Sequence, residues 1–194
     1  VARSADLTNA PASATLLSKN LVLWRDDKGI VNAAPDRCPH REVKLSAGTI
    51  EDGCLVCCYH GWTFGTGGKC VRIPSSTEGI PIPPKADLSI HRCTERYGLI
   101  WVCLGEPVQD IPIITQDTNP IYRRINTAVD VWKTSATRMT DNFLDITHFP
   151  YVHRGTFGRQ EDTVVPKINL EQLDESWFGY SYEVDANNTA GGEV

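Results

Sequence analysis

The sequence predicts an α+β chain in which an all-β unit of short antiparallel strands is followed by the start of a mixed α/β unit. Three observations carry this. Over the first 110 positions, short runs rich in β-branched and aromatic residues alternate with Gly, Pro, Asn and Asp. From Pro107 to Pro120 the chain holds three prolines, two aspartates and little periodicity, the mark of a connector. Beyond it, strand-like and helix-like spacings are mixed. The expected organisation is a β unit over 1–106, a connector over 107–124 and a second unit over 125–194.

In chain order, residues 15–17 and 21–24 predict a hairpin around Ser18, Lys19 and Asn20, and the turn at Asp26, Asp27, Lys28 and Gly29 leads into a strand over 30–33. Further strands are expected at 55–57, 69–72, 88–93 and 99–104. In the second unit, Ile125, Thr127, Val129 and Val131 alternate as a strand does. Residues 135–148 show helical spacing through Met139, Phe143, Leu144 and His148 without internal Pro or Gly. Alternation returns over 164–170 and 177–184. There is no internal repeat and no low-complexity segment.

Composition narrows the function classes. A hydrophobic content of 41%, a charged content of 22% and no apolar run near the ~20 residues of a membrane span describe a soluble globular chain. Residues 1–20 lack the basic start and apolar core of a signal peptide, so a cytoplasmic protein is expected. The start at Val1 and the end at Gly191, Gly192, Glu193 and Val194 read as a fragment or the ordered part of a longer chain. A net charge of −5 without a basic stripe disfavours nucleic acid as a partner. Arg37, Arg41, Lys44, Lys69 and Arg72 are a local exception, either solvated surface or a docking face for an acidic electron carrier. Seven cysteines, an odd number, fit thiols and metal ligands better than a paired extracellular framework.

Two short motifs carry the first chemistry. Cys38-Pro39-His40 and Cys57-Cys58-Tyr59-His60 each pair one thiol with one imidazole. In a Rieske centre one iron takes two thiolates, the other takes two imidazoles, and each loop gives one ligand to each iron. Zinc is the rival, since it also accepts Cys and His in pairs, but its paired ligands usually stand two to four residues apart, and only one residue separates Cys38 from His40. Pro39 stiffens the first loop and Gly61 permits close backbone approach in the second.

The second constellation runs from Asp141 to His153. His148 and His153 are five apart, which on a regular helix sets them ~140° apart. Pro150 is expected to disturb the helix between them, letting both reach one metal, to which a carboxylate adds the third ligand of a two-His-one-carboxylate iron site. Two structural histidines are the other reading of the pair alone. Asp145, one turn before His148, can accept the second ring N–H of that imidazole.

Together these stretches resemble the Rieske non-haem iron oxygenases, the ring-hydroxylating oxygenase alpha subunits. The resemblance rests on Cys38-Pro-His-Arg, Leu45-Ser-Ala-Gly, Cys57-Cys-Tyr-His-Gly-Trp62-Thr-Phe64, Gly68-Lys-Cys70, Ile73-Pro74, Glu95-Arg-Tyr-Gly-Leu-Ile-Trp101-Val and Asn142-Phe-Leu-Asp145-X-X-His148-X4-His153. It implies a Rieske [2Fe-2S] domain on Cys38, His40, Cys57 and His60, followed by part of a helix-grip-like catalytic domain. By the same resemblance His148 and His153 bind Fe(II), and Asp145 bridges to a Rieske histidine of a neighbouring subunit in a homotrimer. The family's third iron ligand lies on a later helix, and none of Glu161, Asp162, Asp174 and Glu183 occupies that place. The first loop has only Cys38, so the disulfide of respiratory Rieske proteins cannot form. Glu42 stands where the family usually has Gly, and Cys58 where it has Pro; Glu42 is either a solvated surface residue or a carboxylate that points at the cluster and lowers its potential slightly, and a small buried Cys58 thiol is expected. Cys54, Cys70, Cys93, Cys103 and His91 lie in strand-like runs and are expected to be structural.

The implied activity is that of a terminal oxygenase component. It takes electrons from NAD(P)H through a reductase, with or without a ferredoxin, and uses O2 to hydroxylate or demethylate an apolar aromatic or heterocyclic substrate, as mono- or dioxygenase. A Rieske-type electron-transfer protein without oxygenase activity and a zinc-binding structural module are the alternatives.

Overall fold

The computed structural model describes residues 1–128, 130–172, 175, 178–183 and 185–186. It divides after Asp130 into two compact units. Among the described residues no helix is long and apolar enough to cross a membrane.

Among its described residues the first unit contains ten strands: β1 (Ala2–Arg3), β2 (Ala12–Leu16), β3 (Lys19–Arg25), β4 (Val31–Pro35), β5 (Thr49–Glu51), β6 (Cys54–Val56), β7 (Thr63–Phe64), β8 (Cys70–Arg72), β9 (Arg92–Arg96) and β10 (Leu99–Cys103). They form three antiparallel sheets, in the orders β2-β3-β4, β5-β6-β7-β8 and β1-β10-β9.

Strand β3 organises the core because both of its faces are covered. Leu21, Val22, Leu23 and Trp24 are fully buried in succession. Since successive side chains point to opposite faces of a strand, Val22 and Trp24 enter a cluster with Leu45, Leu55 and Phe64, and Leu23 enters a second with Val31 and Ile100. Each such side chain contributes ~1.5–3 kcal/mol by leaving water. Cys38 and Cys57 belong to the first cluster, so the most rigid part of the unit carries the two thiols.

Several boundaries differ from the expected ones. The β2–β3 hairpin turns on Leu17 and Ser18 alone, at φ 47° and 62°, because a two-residue turn with both φ positive matches the strand twist. The strand expected over 88–93 begins at Arg92. Leu88 instead packs in the core from an irregular segment, with its N–H donated to the Gly68 carbonyl at 2.8 Å. His91 forms a single bridge to Ala33, its N–H reaching that carbonyl at 2.8 Å, a structural role as expected.

In the second unit, α1 (Ala136–Leu144) is capped at its start by Ser135, whose hydroxyl accepts from the Arg138 N–H at 3.2 Å. The single-turn α2 (Phe149–Val152) follows, then β11 (Glu171–Gln172) paired with β12 (Phe178–Gly179). The strand expected at Ile125, Thr127 and Val131 is not formed; Val129 lies outside the described residues. Nor is there a strand over 164–170, and of the 177–184 run only Phe178–Gly179 pairs, with Trp177 and Val184 outside the described residues. These alternations have no partner strand among the described residues, and alternation alone does not supply one.

Candidate metal centres

The first loop of interest leaves β4. Buried Asp36 accepts both the Ser46 N–H, at 2.7 Å, and the Ser46 hydroxyl, at 2.6 Å, closing the loop that carries Cys38 and His40. Inside it the Cys38 N–H donates to the Val43 carbonyl at 2.8 Å and the Glu42 N–H to the Cys38 carbonyl at 2.9 Å. This tight reversal sets Glu42 at φ 60°, the left-handed region a residue with a Cβ avoids. Its exposed carboxylate lies 3.3 Å from Arg37.

The second loop joins β6 to β7. There the Cys57 N–H donates to the Trp62 carbonyl at 2.9 Å and the Gly61 N–H to the Cys57 carbonyl at 3.0 Å. Gly61 sits at φ 67°, and a Cβ there would meet Pro74 at 3.1 Å. Both loops are therefore held by their own backbone groups.

Together they bury two thiols, half-bury the His40 imidazole and leave that of His60 exposed. Cys38 and Cys57 are each 2% exposed. The rings of His40 and His60 lie 4.7 Å apart at their centroids. Trp62 stacks flat on His40, and the ring of exposed Tyr59 lies 3.8 Å from that of His60, centroid to centroid.

This donor set fits a [2Fe-2S] cluster. Burial pushes the Cys38 thiol up to about 11, opposed by the His40 backbone N–H and reinforced by the Cys57 thiol. Such thiols ionise when a cation takes the place of their protons. Burial, then the charges of His60 and Arg41, hold His40 below the usual histidine range, in the neutral form that binds metal. His40 Nδ1 is buried and has no hydrogen-bond partner. An orphaned polar atom of this kind costs ~1–3 kcal/mol, a cost that metal coordination removes.

Cys58, expected as a small buried thiol, is exposed. The tight turn that buries Cys57 directs the next side chain to solvent. Cys70 is buried, and Cys54, Cys93 and Cys103 are half-buried within strands. Arg37, Arg41, Lys44, Lys69 and Arg72 are all exposed, with Lys69 paired to Asp87 at 2.8 Å.

In the second unit the histidine pair comes together by a different route from the one expected. Helix α1 ends at Asp145, whose extended backbone (φ −83°, ψ 115°) breaks it, so His148 lies outside α1. Pro150 causes no break, because it occupies the first turn of α2, where proline is tolerated. His148 and His153 flank that single turn as its two caps, with ring centroids 5.2 Å apart. Asp145 Oδ2 stands 3.3 Å from His148 Nδ1.

Thr147 was not among the residues the sequence singled out. Its N–H and its hydroxyl both donate to Asp145 Oδ1, at 2.7 and 2.5 Å. These two bonds, ahead of the His148 contact, hold the Asp145 carboxyl below the usual carboxylate range. The Asp-x-Thr spacing is the signal that could have found it, since such pairs close local turns.

A cleft of about 690 Å³ opens beside this pair, lined among others by Ile146, Phe149, Phe157, Val165 and Tyr182. Arg159 at its wall pairs with Glu161, Asp162 and Asp185. Asp174 lies outside the described residues. Among the described residues no three His, Cys, Asp or Glu side chains converge as ligands of one ion.

Residues 1–90 match the Rieske [2Fe-2S] domain, and residues 132–189 match the vanillate O-demethylase oxygenase C-terminal domain. The methylxanthine N1-demethylase NdmA of Pseudomonas putida is 37% identical over 175 residues, covering 89% of this chain and 49% of that protein. The solved structure of Pseudomonas putida CBB5 NdmA superposes with a TM-score of 0.81 at 32% identity, covering 88% of this chain and 53% of the other. Dicamba monooxygenase bound to dicamba gives 0.73 at 34% identity, covering 81% and 47%. The chain thus spans about half the length of the relatives it matches.

Proposed function

The chain belongs to the Rieske non-haem iron oxygenases, and on that premise we propose that it is the terminal oxygenase component of a multicomponent system. It receives electrons from a reductase or ferredoxin through its [2Fe-2S] cluster, delivers them to mononuclear Fe(II), and uses O2 to hydroxylate or demethylate an apolar aromatic or heterocyclic substrate. NAD(P)H is the ultimate donor. The observation that carries this reading is the coexistence, in one chain, of the Cys38/Cys57 and His40/His60 set with the Asp145–His148–His153 cluster. The second unit's match to an oxygenase domain supports it over a pure electron carrier.

In this reading Cys38 and Cys57 would hold one iron of the cluster and His40 and His60 the other, while His148 and His153 would hold the mononuclear ion, which when bound would supply the chemistry that activates O2. The residues themselves do the orienting. Asp145 Oδ2 stands 3.3 Å from His148 Nδ1 and would favour the proton on that nitrogen, leaving Nε2 for the ion. The backbone bonds around Cys38 and Cys57 fix both loops, and the aromatic faces of Trp62 and Tyr59 cover the imidazoles.

The domain assignment follows the same logic. Residues 1–106 form the Rieske domain, residues 107–124 the connector, in which Arg124 pairs with Asp117 at 2.6 Å, and residues 125–194 the catalytic portion. A homotrimer, in which Asp145 bridges to the cluster of a neighbouring copy, and a cytoplasmic location complete the proposal. Demethylation is the favoured outcome, supported by the O-demethylase domain match and the N1-demethylase relative.

The test is product formation. A full-length protein that contains this chain and the family's third iron ligand, loaded with iron and sulfide and given NAD(P)H, a reductase and O2, is expected to release formaldehyde from N- or O-methylated aromatics or to return hydroxylated product. Full cluster and iron loading with electron uptake but no product from such a panel would refute the assignment.

A further inference from the structure

We infer that Thr147 is a positioning residue for the iron-binding histidine, acting by dividing the Asp145 carboxylate between two partners. This rests on the proposed role of Asp145 and His148 at an iron site and adds a residue to it. The carboxylate has two oxygens, and the structure gives each its own task. Oδ1 accepts the Thr147 N–H at 2.7 Å and the Thr147 hydroxyl at 2.5 Å. Oδ2 is left facing His148 Nδ1 at 3.3 Å.

The arrangement matters because Asp145 stands in an extended stretch between two helices, 44% exposed at its side chain. A carboxylate in such a place rotates freely and turns either oxygen to water unless something holds it. Thr147 holds it through two donors on one oxygen, one of them from its own backbone, so the carboxylate plane is fixed relative to the chain that leads directly into His148. The consequence is read at the imidazole. A carboxylate fixed at Nδ1 keeps the proton on that nitrogen, the minority tautomer of a free histidine, and leaves Nε2 unprotonated.

The experiment uses nitrogen NMR of the imidazoles in the chain without iron, at a pH where both histidines are neutral, so neither turnover nor metal loading enters the readout. In the unaltered chain His148 is expected mainly as the Nδ1–H form. Thr147→Val, which keeps the backbone N–H and removes the hydroxyl, lowers the Nδ1–H to Nε2–H ratio of His148 by about fivefold. Thr147→Ser restores it, and Asp145→Ala abolishes the preference. The circular dichroism of α1 is followed in parallel, and Thr147→Ala replaces Thr147→Val if the valine disturbs the fold. A ratio unchanged in Thr147→Val or Thr147→Ala, while Asp145→Ala shifts it, overturns the role of Thr147 and leaves that of Asp145 standing. A ratio unchanged in Asp145→Ala overturns both.

Discussion

The indole of Trp62 lies flat on the imidazole of His40, with centroids 4.7 Å apart and planes within 5° of parallel. Trp62 also packs against the core cluster that contains Cys38 and Cys57. One side chain thus joins the rigid centre of the first unit to a half-buried ligand of the proposed cluster. Trp62→Leu removes the stack and part of the packing, and is expected to destabilise the unit by about 2 kcal/mol and to speed loss of the visible cluster absorbance. Trp62→Phe keeps an aromatic face and should retain the cluster. Equal cluster lifetimes in the two variants would mean that the stack contributes nothing.

Two adjacent cysteines differ in their surroundings, and only one of them belongs to the proposed ligand set. Cys57 is buried beside Cys38, and Cys58 faces solvent. Cys57→Ala is expected to abolish the cluster's visible absorbance and the EPR signal of its reduced form, whereas Cys58→Ala leaves both unchanged. Iron and sulfide analysis of the two purified variants decides the matter, and a normal cluster in Cys57→Ala would remove that residue from the ligand set.

Glu42 is held at φ 60° in the first cluster loop. For a residue with a Cβ this conformation costs ~1–2 kcal/mol, and its exposed pairing with Arg37 returns little. Replacing it with glycine removes the strain but adds ~0.5–1 kcal/mol of unfolded-state entropy. The difference favours the variant, so Glu42→Gly should stabilise the unit by roughly 0.5–1 kcal/mol, seen as a higher urea midpoint at unchanged slope. A lower midpoint would show that the carboxylate does more than the structure displays.

Acid sensitivity is expected at the Arg25–Glu95 pair, which ties β3 to β9 across 70 residues of sequence through contacts of 2.6 and 2.8 Å. The Arg25 hydrogen bond, opposed by burial and aided by Ser4, holds the Glu95 carboxyl below the usual glutamate range. A depressed folded-state pKa contributes stability that is present above the unfolded value of 4.5 and is lost as pH falls through the lower folded value. With the side chains about a third exposed, the contribution is about 1 kcal/mol after solvent screening. Urea titrations at pH 7 and pH 3 should therefore show a smaller acid loss in Glu95→Gln than in the parent chain, and identical losses would argue against the linkage.

Much of this was legible in the sequence because it is local. The thiol and imidazole spacings at Cys38-X-His40 and Cys57-X-X-His60 name a ligand chemistry before any fold is known, since short loops cannot separate their own residues. The β character of the first unit, too, follows from runs such as Leu21 to Trp24, whose apolar side chains leave no face for water. Helix α1 was recognisable from its spacing, but its end was not. Asp145 ends it through bonds to Thr147, whereas the eye is drawn to Pro150, which in fact starts the next turn.

Read alone, the sequence carried the thiol and imidazole spacings that suggest a ligand chemistry, and the order of the two units. Tertiary structure decided the rest: that Cys57 is buried and Cys58 exposed, that Trp62 covers His40, that Leu88 reaches the core without a strand, and that one oxygen of Asp145 is given to Thr147 and the other to His148. The reason is physical. Ligand type and spacing are properties of a few neighbouring residues, but burial, stacking and the direction of a carboxylate depend on groups brought close only when the chain has closed on itself.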